Sequence, residues 1–123
     1  VDVQNHNQRL GRKGEDLAAA YLQRRGYRIL VRNVRTPYGE IDLIAQKSGQ
    51  YIFVEVKTRS NARFGLPEEA ITPRKWQHMV EAAEYWLAEN INALPSWQID
   101  VVAILLPANG EAEIRHYENV QFA

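Results

Sequence analysis

Between Tyr27 and Thr58 the chain runs through three stretches rich in β-branched and aromatic residues, YRILVRNV, EIDLIAQK and YIFVEVKT, separated only by Thr36-Pro37-Tyr38-Gly39 and by Ser48-Gly49. Connections this short cannot carry a crossover, so the three runs are constrained to an antiparallel meander. What flanks the meander has a different period. From Arg12 to Arg25 the apolar residues Leu17, Ala18, Tyr21 and Leu22 recur at helical spacing, and Gly26 is placed to stop a helix. From about Arg74 to Asn90 a second stripe, Trp76, Met79, Val80, Ala83, Trp86 and Leu87, marks a core-facing helix with Glu81, Glu84 and Glu89 outward.

The remaining segments complete the order. Residues 59–66 are polar and contain glycine, as a loop requires, and Pro67 and Pro73 suit the first turns of helical pieces. Trp97 to Leu106 is a continuous apolar strand ended by Pro107, and Glu113 to Tyr117 is suited to an edge strand. The expected architecture is a single α/β domain over residues 1–123, an αβββαβ core with a mixed central sheet flanked by helices, preceded by a flexible segment at 1–9.

Composition narrows the function classes. The chain has 123 residues and no cysteine, which excludes a thiolate nucleophile and a Cys-ligated zinc. No apolar run approaches the ~18 residues of a membrane span, and the first ten residues lack the apolar stretch of a signal peptide. A soluble, cytoplasmic protein with no membrane partner is expected. The net charge is +0, but it is polarised: residues 1–75 carry +6 and residues 76–123 carry −6. A polyanion would meet the first half of the chain, although charges on solvated helix faces would give the same count.

The Ser48-Gly49 reversal fixes a register. A two-residue loop pairs Lys47 with Gln50, so residues whose numbers add to 97 oppose one another, and Asp42 then meets Glu55 while Glu40 meets Lys57. Two carboxylates facing each other destabilise a sheet unless something positive lies between them. A hard divalent cation takes oxygen ligands and would turn that repulsion into binding, with Lys57 beside it to orient a water and offset phosphoryl charge. Spacing alone equally admits a solvated Asp42 and an ordinary surface ion pair between Glu55 and Lys57. Glu15 borders the buried stripe of the first helix, placed either as a solvated acid or as an outer ligand, whereas Asp16 should face solvent.

Three strings, Gly11-Arg12-Lys13-Gly14-Glu15, Gly39-Glu40-Ile41-Asp42-Leu43-Ile44 and Val54-Glu55-Val56-Lys57, resemble the YraN-like uncharacterised family. That family is placed among the PD-(D/E)XK nucleases, with a restriction-endonuclease-like fold and a distant similarity to archaeal Holliday-junction resolvases. The likeness runs from about Leu10 to Asn119 and includes Phe64-Gly65, Glu69-Ala70 and the strand from Asp100 to Ile104. It implies that Asp42 and Glu55 are the two acids of the D-(spacer)-E-x-K signature, Lys57 the lysine and Glu15 the helix acid of resolvase-type members. Ile41 stands where the superfamily name has proline.

The expectation drawn from residues and resemblance together is a Mg2+-dependent (or Mn2+-dependent) endonuclease acting on structured or branched DNA. Asp42, Glu55, the Val56 carbonyl and Glu15 would serve the metal, and a resolvase-like enzyme would act as a homodimer. Arg59, Arg63, Arg74 and Lys75 are candidates for the DNA backbone. Arg12 and Lys13 join them, in a glycine-flanked string that could hold phosphate through free backbone N–H groups. Two other readings use the same fold: a nucleic-acid-binding module without catalysis, and a protein-interaction domain whose acidic C-terminal half faces a partner. His6, His78 and His116 form no ligand pattern and are expected at the surface, and Asp100 is expected to be a satisfied structural acid.

Overall fold

The computed structural model describes residues 3–93 and 95–122. Helix α1 spans Val3–Arg24, followed by strands β1 (Arg28–Thr36), β2 (Gly39–Lys47) and β3 (Gln50–Arg59). After a single 3-10 turn at Pro67–Ala70 come helix α2 (Pro73–Asn90) and strands β4 (Trp97–Leu105) and β5 (Glu113–Tyr117). The five strands form one sheet in the order β1-β2-β3-β4-β5, antiparallel except for the β3–β4 pair, which is parallel. A parallel pair needs a crossover, and α2 supplies it. This mixed α/β arrangement, a five-stranded sheet flanked by two helices, is consistent with the restriction-endonuclease-like fold. No helix among the described residues is long and apolar enough to cross a membrane.

Each helix covers one face of the sheet. On the α1 face, Ala18 and Leu22 pack with Leu43, Ala45, Ile52, Val54, Val56, Val102 and Ile104. On the other, Ala82, Ala83 and Leu87 pack with Ile44, Phe53 and Ile99, and Trp76, Met79, Val80 and Trp86 close the margin. The alternation Phe53/Val54 and Ile52/Phe53 therefore divides β3 between two cores, as a strand covered on both faces must. The stripe expected on α2 is the one that packs.

Local signals account for the boundaries. At the end of α1, Gly26 adopts φ +90°, and the Tyr27 and Gly26 amides return to the carbonyls of Leu22 and Gln23, a paired closure that glycine makes cheap. Helix α2 starts with Pro73 in its first turn and with the Thr72 hydroxyl accepting the Lys75 N–H at 3.2 Å. Ser48 and Gly49, at φ +52° and +78°, make the tight β2–β3 turn, and the register that follows pairs Lys47 with Gln50 through Leu43 with Val54.

Three expectations are corrected. Residues 3–9, expected as part of a flexible segment, are the first turns of α1; Val1 and Asp2 lie outside the described residues. Gly11 to Gly14 consequently sit inside a helix, where backbone N–H groups are consumed by the i to i−4 ladder, so they form no phosphate-holding loop. His116 is not a surface residue: its side chain is 6% exposed, with Nε2 2.7 Å from Asp100 Oδ2. β5 pairs His116 with Val102 and so turns the ring toward the sheet interior.

Candidate active site at a fork in the sheet

The β2–β3 ladder stops one residue short of the acids. Beyond Leu43↔Val54 the two strands separate, and the Val56 N–H, which would have continued the ladder, instead donates to Asp42 Oδ2 at 2.8 Å. Asp42 and Glu55 are therefore neighbours across a fork and not a paired rung. On the other side of β2, Asn33 of β1 takes φ +55° between the pairs Arg32↔Leu43 and Val34↔Ile41, opposite Asp42. Asparagine tolerates this left-handed conformation better than the branched residues around it.

The fork gathers charge from three elements. From β3, Glu55 and Lys57 share the face that Phe53 turns toward α2, and Lys57 Nζ lies 3.9 Å from Glu55 Oε1. Asp42 enters from β2 beside Glu55, whose carboxyl its charge raises. Glu15 comes from α1; with its amide oriented to donate, Asn33 reaches Glu15 Oε1 at 2.9 Å and Glu40 Oε1 at 3.3 Å, tying the helix acid to the fork. Helix α1 comes this near because Gly14 has no side chain: a Cβ there would lie 1.9 Å from Thr58 Oγ1.

Electrostatics follow from this crowding. Burial, then the Asp42 charge and the hydrogen bond shared with it, push the Glu55 carboxyl up to about 9, against the opposing pull of Lys57 and Lys75. Glu15 is also raised, by burial first and then by Asp42, with Arg32 and Asn33 pulling the other way. The Glu55 carboxyl thus keeps its proton at neutral pH. On the α2 side the fork opens into a cleft of about 190 Å3 lined by Tyr38, Glu40, Glu55, Lys57, Lys75 and His78.

Among the described residues no three His, Asp or Glu side chains already converge on one metal position. The donor chemistry nevertheless fits a hard divalent cation: two adjacent carboxyl groups, of which Glu55 keeps its proton at neutral pH, and a Val56 carbonyl that, like its N–H, points to the β2 side of β3. A cation taking the proton's place would relieve the same repulsion.

The phosphate-binding candidates divide. Lys75 lines the cleft and Arg74 is its exposed neighbour at the start of α2. Arg12 and Lys13 are exposed on α1 just before Glu15, Arg59 ends β3, and Arg63 belongs to the loop after it. The sequence reading missed Asn33, the cleft-lining roles of Tyr38 and His78, and the close approach at Gly14. Asn33, a turn-former inside a β-rich run, was the signal for its left-handed backbone. His78, exposed as expected, reaches the cleft only through the tertiary placement of α2.

A mixed sheet that opens between two antiparallel strands, with two acids and a lysine in the opening and a third acid brought by a helix, defines an α/β domain with an acid–lysine site. The chain belongs to uncharacterised protein family UPF0102, the YraN-like family, whose profile matches residues 14–104. A UPF0102 protein of Syntrophomonas wolfei is 48% identical over 113 residues, covering 92% of this chain and 97% of that one. Those of Syntrophotalea carbinolica and Geobacter sulfurreducens are 44% identical over 108 residues (88% and 87% of the two chains) and 43% identical over 115 residues (94% and 90%).

Proposed function

We propose that the fork is the active site of a Mg2+-dependent endonuclease that hydrolyses phosphodiester bonds in structured or branched DNA. The observation that carries this reading is the meeting of Asp42 and Glu55 where the β2–β3 ladder ends, with Lys57 Nζ 3.9 Å from Glu55 Oε1 and Asp42 Oδ2 held by the Val56 N–H. Folding does not favour two desolvated acids side by side, and such a cluster is expected where function needs it. In this reading Asp42, Glu55 and Lys57 are the D-(spacer)-E-x-K signature of the PD-(D/E)XK nucleases, with the resolvases as distant relatives, DNA as partner and a homodimer as the working form.

Asp42, Glu55 and the Val56 carbonyl are the oxygen donors that would hold Mg2+ or Mn2+, and Glu15, tied in through Asn33, supports the ion or its waters. When bound, the ion supplies Lewis acidity to the phosphate and to a water. Lys57 contributes three donors and a positive charge, with which it orients the attacking water and offsets charge growing on the phosphoryl oxygens. The water attacks phosphorus in line, and the bond to a ribose oxygen breaks. Lys75, on the opposite wall of the cleft, together with Arg74, Arg59, Arg63, Arg12 and Lys13, holds backbone phosphates without reading bases.

A panel of labelled duplex, flap, four-way and single-stranded DNAs with Mg2+, Mn2+ or EDTA tests the reading. Cleavage should require Mg2+ or Mn2+, be poor with Ca2+, whose looser shell positions water badly, and vanish in Glu55→Ala. Binding without products under every metal would leave a nucleic-acid-binding module instead. Cleavage that survives in both Glu55→Ala and Lys57→Ala would remove the site from the account.

A further inference from the structure

Of the large apolar side chains in the described residues, Phe64 is by far the most exposed, at 87%, and nothing in the fold covers it. The backbone that presents it is braced. The Arg63 N–H donates to Asn61 Oδ1 at 3.0 Å, the Gly65 N–H returns to the Ala62 carbonyl at 3.2 Å, and Gly65 takes φ +110°. On either side, Arg59 Nη1 donates to the Phe64 carbonyl at 3.4 Å and the Glu69 carboxylate accepts the Leu66 N–H at 2.8 Å. A turn held at both ends that points a phenyl ring into solvent is a presentation device, since burying the ring would have been the stable alternative.

The surroundings select the occupant. Arg59 and Arg63 line with Phe64 an open groove of about 430 Å3 between the loop and α1, to which Asn7, Thr58, Ser60 and Asn61 add polar groups. The loop continues directly from β3, so Phe64 follows Lys57 by seven residues on the same chain segment. A protein-binding hot spot would sit in an apolar ring depleted of charge, whereas a flat apolar face in a groove shared with two arginines fits a flat ligand carried on a polyanion.

We propose that the 59–65 loop is an acceptor for an unpaired nucleobase, which stacks on Phe64 while Arg59 and Arg63 hold the phosphates on either side of it. This rests on the nucleic-acid reading of the fork and goes further, because it assigns the substrate an unstacked base. A fully paired duplex offers no such face. The preference for branched or gapped DNA then comes from Phe64 and not from the acids.

The test measures binding in EDTA, where nothing is cut, to a continuous duplex and to the same duplex with a three-nucleotide gap carrying 2-aminopurine. Wild type should prefer the gapped DNA by on the order of tenfold and change the 2-aminopurine emission on binding. Phe64→Ala should lose that preference and the emission change while its affinity for continuous duplex stays within about twofold, and Phe64→Trp should keep both. A gapped-DNA preference unchanged in Phe64→Ala overturns this inference and leaves the nuclease reading standing, the ring then serving another partner. Wild type that binds neither DNA overturns both together.

Discussion

Asp100 has no exposed surface, yet every acceptor position it offers is used. Tyr27 Oη, Gln98 Nε2 and the Asn119 N–H donate to it at 3.1, 2.8 and 3.0 Å, and His116 lies 2.7 Å away. Burial alone would raise its carboxyl, but the bonds from His116, Asn119 and Gln98 outweigh that and hold it below the ordinary 3.8. A depressed carboxyl stabilises the fold at every pH above its unfolded value, and that contribution is lost as pH falls through the folded value, below 3.8. Asp100→Ala should cost about 3–5 kcal/mol in urea unfolding at pH 7 by stranding its donors, and far less at pH 2. Glu55 has the opposite sign. Its raised carboxyl favours the fold below 4.5, and that stability drains away as pH rises toward about 9. In EDTA at pH 8, Glu55→Gln should therefore be more stable than wild type by roughly 1–2 kcal/mol, as expected where a site has been kept at the expense of stability. It should also lose the rise in midpoint that Mg2+ gives wild type. A variant no more stable than wild type in EDTA would mean that the acids are not in conflict.

Among the elements, α1 depends most on a single residue. Gly14 lets it lie against β3 at Thr58, and that closeness brings Glu15 to the fork. Gly11, one turn earlier, has nothing within 4 Å of the position a Cβ would take. The two glycines should respond to alanine with opposite signs. Gly14→Ala should cost about 1–3 kcal/mol by overpacking and weaken any metal response, while Gly11→Ala should gain up to about 1 kcal/mol from helix propensity. Thermal melts of the two variants decide this. Much at this scale was legible in the sequence, because it was written in local signals: Gly26 for the end of α1, Ser48-Gly49 for the register, the Trp76-to-Leu87 stripe for the face of α2. The opening of the strands at Asp42 was not, since the additive register gives no sign of where the β2–β3 ladder ends. His116 escaped for a similar reason: what buries it is the register of an edge strand against β4, which the residues around it do not state.

Across the whole molecule, the +6 of residues 1–75 and the −6 of residues 76–123 give the chain two electrostatic halves despite its zero net charge. The proposed DNA surface belongs to the first half, so binding should weaken linearly on a log–log salt titration. Each phosphate-contacting base removed, Arg59→Ala or Arg63→Ala, should flatten the slope by about 0.9. A slope near zero would place binding elsewhere or exclude it. The acid–lysine trio could be singled out as candidates from strand spacing before any coordinates, because two-residue periodicity and a tight turn set residues 42, 55 and 57 near one another, but spacing alone equally admitted an ordinary surface ion pair. Lys75 and His78 on the far wall of the cleft needed α2 to be set over the sheet. The central claim is that the conflict between Asp42 and Glu55 exists for a cation, and its most direct measurement is the anomalous scattering of Mn2+ soaked into crystals of the wild-type protein near neutral pH. The account predicts a peak in the fork, about 2.1 Å from oxygens of both carboxylates, and absent from Glu55→Gln crystals. A fork left without Mn2+ while the ion occupies another part of the surface would contradict it.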